Sequence, residues 1–192
     1  MARREAADPP LRIDWVEAVH FGDGLAGRLG LTFLPGKRGP SLRYPGTVYR
    51  RELDADLATL RAEGVLRVLL LVEDAELDRW GDADIVARAA RAGIEVERRP
   101  IPDGAAPRSV EEADAMVGWL QAARRSGDVA VACMGGVGRT GTLAACALVE
   151  AGRPAAEAIE LVRRVRHPTA IETDAQVRFV HDFARTRAQA SR

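Results

Sequence analysis

Two cysteines, Cys133 and Cys146, are too few in a chain of 192 residues for a disulfide framework. No apolar run approaches the length that crosses a membrane; the longest, such as Val68 to Val72, are strand-sized. The opening MARREAADPP lacks the apolar core of a signal peptide. Together these absences lead to the expectation of a cytoplasmic protein whose thiols stay reduced and available for chemistry. Net charge is also missing: 28 basic residues balance 28 acidic ones. That removes any case for bulk attraction to nucleic acid or to an anionic membrane, so an anion site has to be local. Lysine is nearly absent, with Lys37 standing alone among arginines, a bias that reflects coding composition rather than a ligand. What is present is a 47% hydrophobic chain, which excludes general disorder, at a length suited to one compact domain.

The order of elements follows from periodicity and punctuation. Residues 1 to 10 and 188 to 192 read as mobile tails around a single domain at 11 to 187. A short apolar segment, Leu29 to Leu34, runs into the turn-forming Pro35-Gly36-Lys37-Arg38-Gly39-Pro40. Leu53, Leu57 and Leu60 mark a helix face that ends at Gly64, and Val65 to Val72 is a strand buried on both faces. A helix from about Asp82 to Ala92, a strand from Ile94 to Arg98 and a Pro- and Gly-rich loop at 100 to 104 follow. Ser109 with Glu112 gives a capping box that opens a helix to about Ser126. Asp128 to Cys133 is the last strand, and helices follow at about Thr140 to Ala151, Ala155 to Arg166 and Thr173 to Arg187. Thr173 with Gln176 forms a second capping box. Strands that alternate with helices and then give way to helices alone predict an α/β fold, a mostly parallel sheet flanked by helices on both faces. Ligands of such sheets bind beyond the carboxyl ends of the strands, where the Gly-rich turn after Ala132 lies.

That turn, Cys133-Met134-Gly135-Gly136-Val137-Gly138-Arg139-Thr140, holds three glycines between a cysteine and an arginine. A phosphate needs donors on several sides, and a tight loop can aim consecutive backbone N–H groups inward. The helix that follows presents its N-terminus to the same point, which favours an anion and, at a cysteine, the thiolate. Arg139 supplies a planar fork for two phosphate oxygens, and Thr140 adds a hydroxyl close to the sulfur. Three rival readings compete. The first takes Cys133 as the mere end of a buried strand, as free cysteines often are. Gly136-Val137-Gly138-Arg139-Thr140-Gly141 fits the dinucleotide fingerprint, but the second strand and its acidic residue are not there, since Pro154 and another helix follow. A nucleotide P-loop fails because Thr142 stands where its lysine belongs. Cys146, among Ala144, Ala145, Ala147 and Leu148, reads as core.

Leu29-Gly-Leu-Thr-Phe-Leu-Pro-Gly36, Ile101-Pro-Asp-Gly104, Cys133-Met-Gly-Gly-Val-Gly-Arg139 and Ala170-Ile-Glu-Thr173 occur in this order. In them the chain resembles the dual-specificity phosphatases of the protein tyrosine phosphatase superfamily. From about Leu29 to Phe183 it resembles the kinase-associated phosphatase branch most nearly. The late position of the loop separates it from low-molecular-weight phosphatases and arsenate reductases. The resemblance implies a two-step reaction with neither metal nor organic cofactor: Cys133 attacks phosphorus, and water hydrolyses the phosphocysteine. It makes Arg139 and Thr140 catalytic beside Cys133, and gives phosphate binding to Met134, Gly135, Gly136, Val137, Gly138 and Arg139. Asp103 falls at the general-acid position, where the residues alone leave a turn aspartate before Gly104 as an equal reading. Asp74 and Asp128 are weaker candidates, outside the loops the family uses.

Glu172, Thr173 and Gln176 resemble a glutamine-bearing loop that helps position water, with Glu at the first Gln; a helix cap is the equal alternative. One position departs from the family: the usual His before the nucleophile is Ala132, which removes a group that orders the loop and favours the thiolate. The implied substrate is a phosphorylated protein or peptide, phosphotyrosine first and phosphoserine or phosphothreonine next, with no nucleic acid or membrane partner and a monomeric chain. A phosphate-binding pseudophosphatase and a small-molecule or nucleic-acid phosphatase of the same fold are the alternatives. Lys37, Arg38 and Arg108 are candidates for a basic rim, with isolated surface positions as the blander reading.

Overall fold

The computed structural model describes residues 9 to 41 and 44 to 190. The N-terminal tail expected at 1 to 10 therefore lies, except for residues 9 and 10, outside the described residues. At the other end the last helix continues to Ala190, so residues 188 to 190 are helical rather than tail.

In chain order the elements are β1 (Asp14–Val16), β2 (Leu29–Phe33), a hairpin of β3 (Arg38–Pro40) and β4 (Val48–Arg50), α1 (Leu53–Ala62), β5 (Arg67–Leu70), α2 (Asp74–Trp80), α3 (Ile85–Arg91), β6 (Glu95–Arg98), α4 (Val110–Arg124), β7 (Val129–Cys133), α5 (Gly138–Glu150), α6 (Ala155–Val165) and α7 (Asp174–Ala190). The main sheet runs β1-β2-β7-β5-β6. Its β2, β7, β5 and β6 are parallel, and β1 pairs antiparallel with β2 at one edge.

The apolar runs in β5 and β7 explain why both faces are covered. Along β5, Val68, Leu70 and Val72 enter one core cluster while Leu69 and Leu71 enter the other. Along β7, Ala130 and Ala132 go to the first of these, and Val129, Val131 and Cys133 to the second. Strand side chains alternate across the sheet, so a continuous apolar run needs a layer on each side. Leu57, Leu60, Leu77 and Ile85 from α1, α2 and α3 make one layer. Met116, Leu143, Ile159 and Phe183 from α4 to α7 make the other. The parallel strands point their carboxyl ends the same way, with Phe33 beside Cys133 and Leu70 beside Ala132. The connections that leave that edge build the site.

Several elements differ from the sequence expectation. The helix expected from Asp82 is α3, beginning at Ile85, and α2 precedes it across Gly81. Arg38, Gly39 and Pro40 of the expected turn form β3, paired with Arg50, Tyr49 and Val48. The Ser109 box is half formed. Its hydroxyl accepts the Glu112 N–H at 3.2 Å, but the Glu112 carboxylate turns back to the Arg108 N–H at 2.6 Å and to its guanidinium. The Thr173 box is complete, with the Gln176 N–H donating to Thr173 Oγ1 at 3.2 Å and the Thr173 N–H to Gln176 Oε1 at 3.3 Å.

Candidate functional site

Cys133 ends β7, and the chain turns through residues 134 to 137 directly into α5, which begins at Gly138, two residues before the expected start. Each carbonyl of that turn is engaged from outside. Lys37 Nζ donates to Met134 O at 3.2 Å; Arg166 donates to Gly135 O at 3.1 Å and to Gly136 O at 2.8 Å. The N–H groups of Gly141 and Ile171 donate to Val137 O. A trans peptide points its C=O and N–H in opposite directions, so the N–H groups of residues 135 to 138 turn to the concave side of the loop. A turn of that form, continued by the N-terminus of α5, can hold an anion. Gly136 has φ 65°, and a Cβ there would lie 2.3 Å from Thr32 O, so glycine is required at this position. Gly138 permits a close approach from the other side, since its Cβ would meet Glu172 Oε2 at 2.5 Å.

Arg139, in the first turn of α5, is 2% exposed. Its Nη1 donates to Glu76 Oε2 at 2.6 Å and to Ile101 O at 2.8 Å; its Nη2 donates to Glu76 Oε1 at 2.7 Å and to Asp103 Oδ1 at 3.0 Å. Burial alone would lower the pKa of the guanidinium. The Glu76 hydrogen bonds and the charges of Cys133, Glu76 and Asp103 outweigh burial and raise it, so the fork is a permanent cation. Thr140 is fully buried, and its Oγ1 has no hydrogen-bond partner among the described residues. An orphan buried hydroxyl one residue beyond the fork is the kind of donor an anion would satisfy. Cys146 is buried in mid α5, where burial pushes its thiol up.

Asp103 is brought to Arg139 from the loop after β6, with its side chain 73% exposed. The start of α7 tethers that loop. Thr173 Oγ1 donates to Gly104 O at 3.1 Å, and Gln176 Nε2 donates to Ala105 O at 2.9 Å. Gln176 Oε1 meanwhile accepts the N–H groups of Glu172 and Thr173, so its whole amide is used in capping and tethering. Ile171, just before, holds φ 64°, an unfavourable backbone for a β-branched residue. That conformation lets its N–H reach Val137 O. Asp74 pairs with Arg98, and Asp128 sits at the far end of the sheet with Arg28. Neither is among the hydrogen-bond partners of Arg139.

A cavity of about 510 Å³ opens over the loop. Glu76, Asp103, Gly135, Val137 and Glu172 line its inner part, and Phe33, Tyr44, Tyr49 and Trp80 its apolar wall. The rim differs from the expected one. Lys37 lines it, whereas Arg38 is exposed on β3 and Arg108 is held by Glu112. The other cations come from Arg12 and Arg166, and His167 lines the same side.

A family model described as the polymorphic toxin system DSP-PTPase phosphatase matches residues 46–153, more than half of the chain. The chain belongs to the DSP-PTPase phosphatases. Similarity to other proteins extends over nearly all of it. The cyclin-dependent kinase inhibitor 3 of Rattus norvegicus is 26% identical over 91% of this chain and 79% of its own. A crystal structure of a kinase-associated phosphatase with its catalytic-site cysteine replaced by serine superposes with a TM-score of 0.82 at 23% identity, over 94% of this chain and 98% of that one. The Tk-PTP structure is 30% identical, with a TM-score of 0.63 over 86% of this chain and 95% of that one. Dual-specificity phosphatase membership and a cysteine-phosphatase fold, both expected from the sequence, are thus met.

In this DSP-PTPase the sequence reading missed two residues that shape the loop. Glu76 closes a capping box with Glu73 at the start of α2, and the same carboxylate grips Arg139. The E-x-x-E spacing was a signal for it, obscured because Glu is a poor N-cap. Arg166 had no local signal. Its partners lie at Asp14, 152 residues away, and in the loop, about thirty residues away.

Proposed function

We propose that this chain hydrolyses phosphomonoesters of proteins or peptides through a phosphocysteine intermediate, with phosphotyrosine as the first substrate and phosphoserine or phosphothreonine as further ones. In the first step Cys133 Sγ bonds to phosphorus as the bond to the leaving oxygen breaks, and Asp103 gives that oxygen its proton. In the second step a water oxygen bonds to phosphorus, the S–P bond breaks, and Asp103 takes the proton of the water. The loop N–H groups and the fork of Arg139 hold the phosphoryl oxygens throughout. The observation that carries this reading is Arg139, buried beside the cysteine-bearing strand end and aimed by Glu76, with every carbonyl of the turn drawn away from it. The aromatic wall of Phe33, Tyr44, Tyr49 and Trp80 supports an aryl phosphate. With Ala132 in place of the usual His, the N–H groups, Arg139 and the Thr140 hydroxyl remain to hold the thiolate.

Turnover of para-nitrophenyl phosphate in the presence of chelator tests the proposal. The wild-type protein turns over, Cys133→Ser loses all measurable turnover while keeping its fold, and Cys146→Ser keeps most of it. A wild-type protein that binds phosphate without turnover would instead be a pseudophosphatase. A dead Cys146→Ser beside a live Cys133→Ser would move the nucleophile elsewhere.

A further inference from the structure

Asp14 is out of pattern in its strand. Side chains alternate along β1: Ile13 and Trp15 pack against the α1–α3 layer, while Val16 enters the core of α4 to α7. Asp14 shares the face of Val16 and stands opposite Leu31, which enters the same core. Its side chain is only 15% exposed, so a carboxylate occupies a position that the alternation gives to an apolar residue. Such a group is costly unless its hydrogen bonds are made. Two arginines make them. Oδ1 accepts Arg12 Nε at 2.9 Å, and Oδ2 accepts Arg166 Nη1 at 2.5 Å. The Arg12 side chain is largely exposed, whereas that of Arg166 is 7% exposed.

An ion pair between an edge strand and the end of α6 could serve packing alone. Arg166 does more than pair. Its Nε donates to Gly136 O at 2.8 Å and its Nη2 to Gly135 O at 3.1 Å. Two consecutive carbonyls turned to one side repel each other, and a cation between them offsets that repulsion. The other ends of the same peptide units are the N–H groups of Gly136 and Val137. Both carbonyls belong to glycines, whose backbone is the least restricted, so these units are the freest to rotate out of the turn. Arg166 holds them. Asp14 supplies the negative charge that lets a nearly buried guanidinium stay in place to do so.

We propose that Asp14 is a positioning residue of the phosphate site: acting through Arg166, it keeps the Gly135 and Gly136 peptide units turned before an anion arrives. The inference rests on the proposed function, which reads the turn as a phosphate site. An amide at position 14 keeps an acceptor but no charge. The enclosed cation then loses its counter-ion and leaves the carbonyls for water, and the two peptide units become free to flip. A phosphate must re-order them as it binds, so its affinity falls with the fraction of molecules already in order. Because that penalty is met on binding, it appears in KM and leaves kcat nearly as it was.

The test titrates inorganic phosphate calorimetrically into Cys133→Ser protein, so it reads the turn whether or not the wild type turns over. Adding Asp14→Asn weakens phosphate binding roughly tenfold, while Asp14→Glu, which keeps the charge, binds more tightly than Asp14→Asn. Arg166→Gln weakens binding by a similar factor, and Asp14→Asn on top of it adds less than about twofold, because Asp14 acts through that side chain. With Cys133 intact, Asp14→Asn raises KM for para-nitrophenyl phosphate roughly tenfold and holds kcat within about twofold. Undiminished phosphate affinity in Asp14→Asn, even at a lowered urea midpoint, makes the pair a packing contact and overturns the proposal. So does a double variant in which the two losses multiply. Failure of Cys133→Ser protein to bind phosphate with Asp14 in place refutes the phosphate site and the positioning role together. Absence of wild-type turnover with the binding ratios preserved refutes the hydrolase alone and leaves the role of Asp14 standing.

Discussion

Arg139 and Arg124 are the two arginines most deeply enclosed, each 2% exposed, and their immediate partners are of the same kind. Arg139 grips Glu76 at 2.6 and 2.7 Å and donates to Ile101 O. Arg124 grips Asp23 at 2.7 and 3.3 Å and donates to Gly27 O at 2.8 Å. The difference lies in what surrounds them. Arg124 closes α4 at the end of the sheet away from Cys133, with its guanidinium 3.5 Å from the centroid of the Phe21 ring. It pins residues 21 to 27, and neither of its partners lines a hollow. Around Arg139 a strand end carrying a thiol, an orphan hydroxyl and a turn with its carbonyls drawn outward all meet, and its partners Glu76 and Asp103 line the cavity. Burial and pairing of a cation are therefore structural by default; an unsatisfied donor and a partner set that reaches a cavity are what mark a site.

The comparison is most exposed to Arg139→Lys. An ammonium cannot reproduce the fork, so kcat/KM on an aryl phosphate falls by about a hundredfold or more, while the urea midpoint moves little. Near-normal turnover would make Arg139 another Arg124.

The converse variant, Arg124→Met, leaves kcat/KM close to wild type and costs about 3 kcal/mol of unfolding free energy, because Asp23 loses its partner. Burial would raise the Asp23 carboxyl, but hydrogen bonds from Arg124 and the Leu25 N–H, with the Arg124 charge, hold it below its ordinary value. The folded state then binds that proton less readily than the unfolded chain. The pair's contribution is complete above the ordinary value and is lost as pH falls through the lowered one. Urea titrations between neutral pH and pH 3 should show the stability gap between wild type and Arg124→Met narrowing in acid. A variant that slowed turnover at undiminished stability would erase the distinction between the two arginines.

Glu76→Gln is the smallest of the three and sharpens the comparison. The amide offers one acceptor where the carboxylate offered two, so Arg139 is aimed less firmly, and kcat falls roughly tenfold with KM little changed. Loss of stability with kcat intact would make Glu76 a counter-ion only.

Much of the candidate site was legible because it is contiguous. Cys133 to Thr140 carries the cysteine, the glycine turn and the arginine fork in one strand-turn-helix unit, and the glycines announce the turn. The central strands were legible too, since Val68 to Val72 and Val129 to Cys133 are apolar on both faces. What escaped was short or distant. β1 and the β3–β4 hairpin have three residues per strand, too few for a period of two to register, and β3 is Gly- and Pro-bearing. Thr173 and Gln176 form the helix cap that was the equal reading of their spacing, and they also tether the Asp103 loop, a contact no local spacing announces. Ala132, where the family usually has His, is fully buried in the α1–α3 layer, where a larger ring must displace its neighbours.

The clamps on the turn set an order in time. The Met134 carbonyl is held by Lys37, which is synthesised before the turn, and that of Val137 gains its first donor from Gly141 in α5, but those of Gly135 and Gly136 wait for Arg166, and Val137 waits for its second donor, Ile171. On a ribosome the five strands and α5 can associate as they emerge, because all of their sequence precedes residue 151. The turn is fully restrained only after another twenty residues clear the exit tunnel. A chain severed between α5 and α6 would keep the strands of its sheet and lose three of the five hydrogen bonds to its turn carbonyls, so the nascent molecule has its architecture before its site is set.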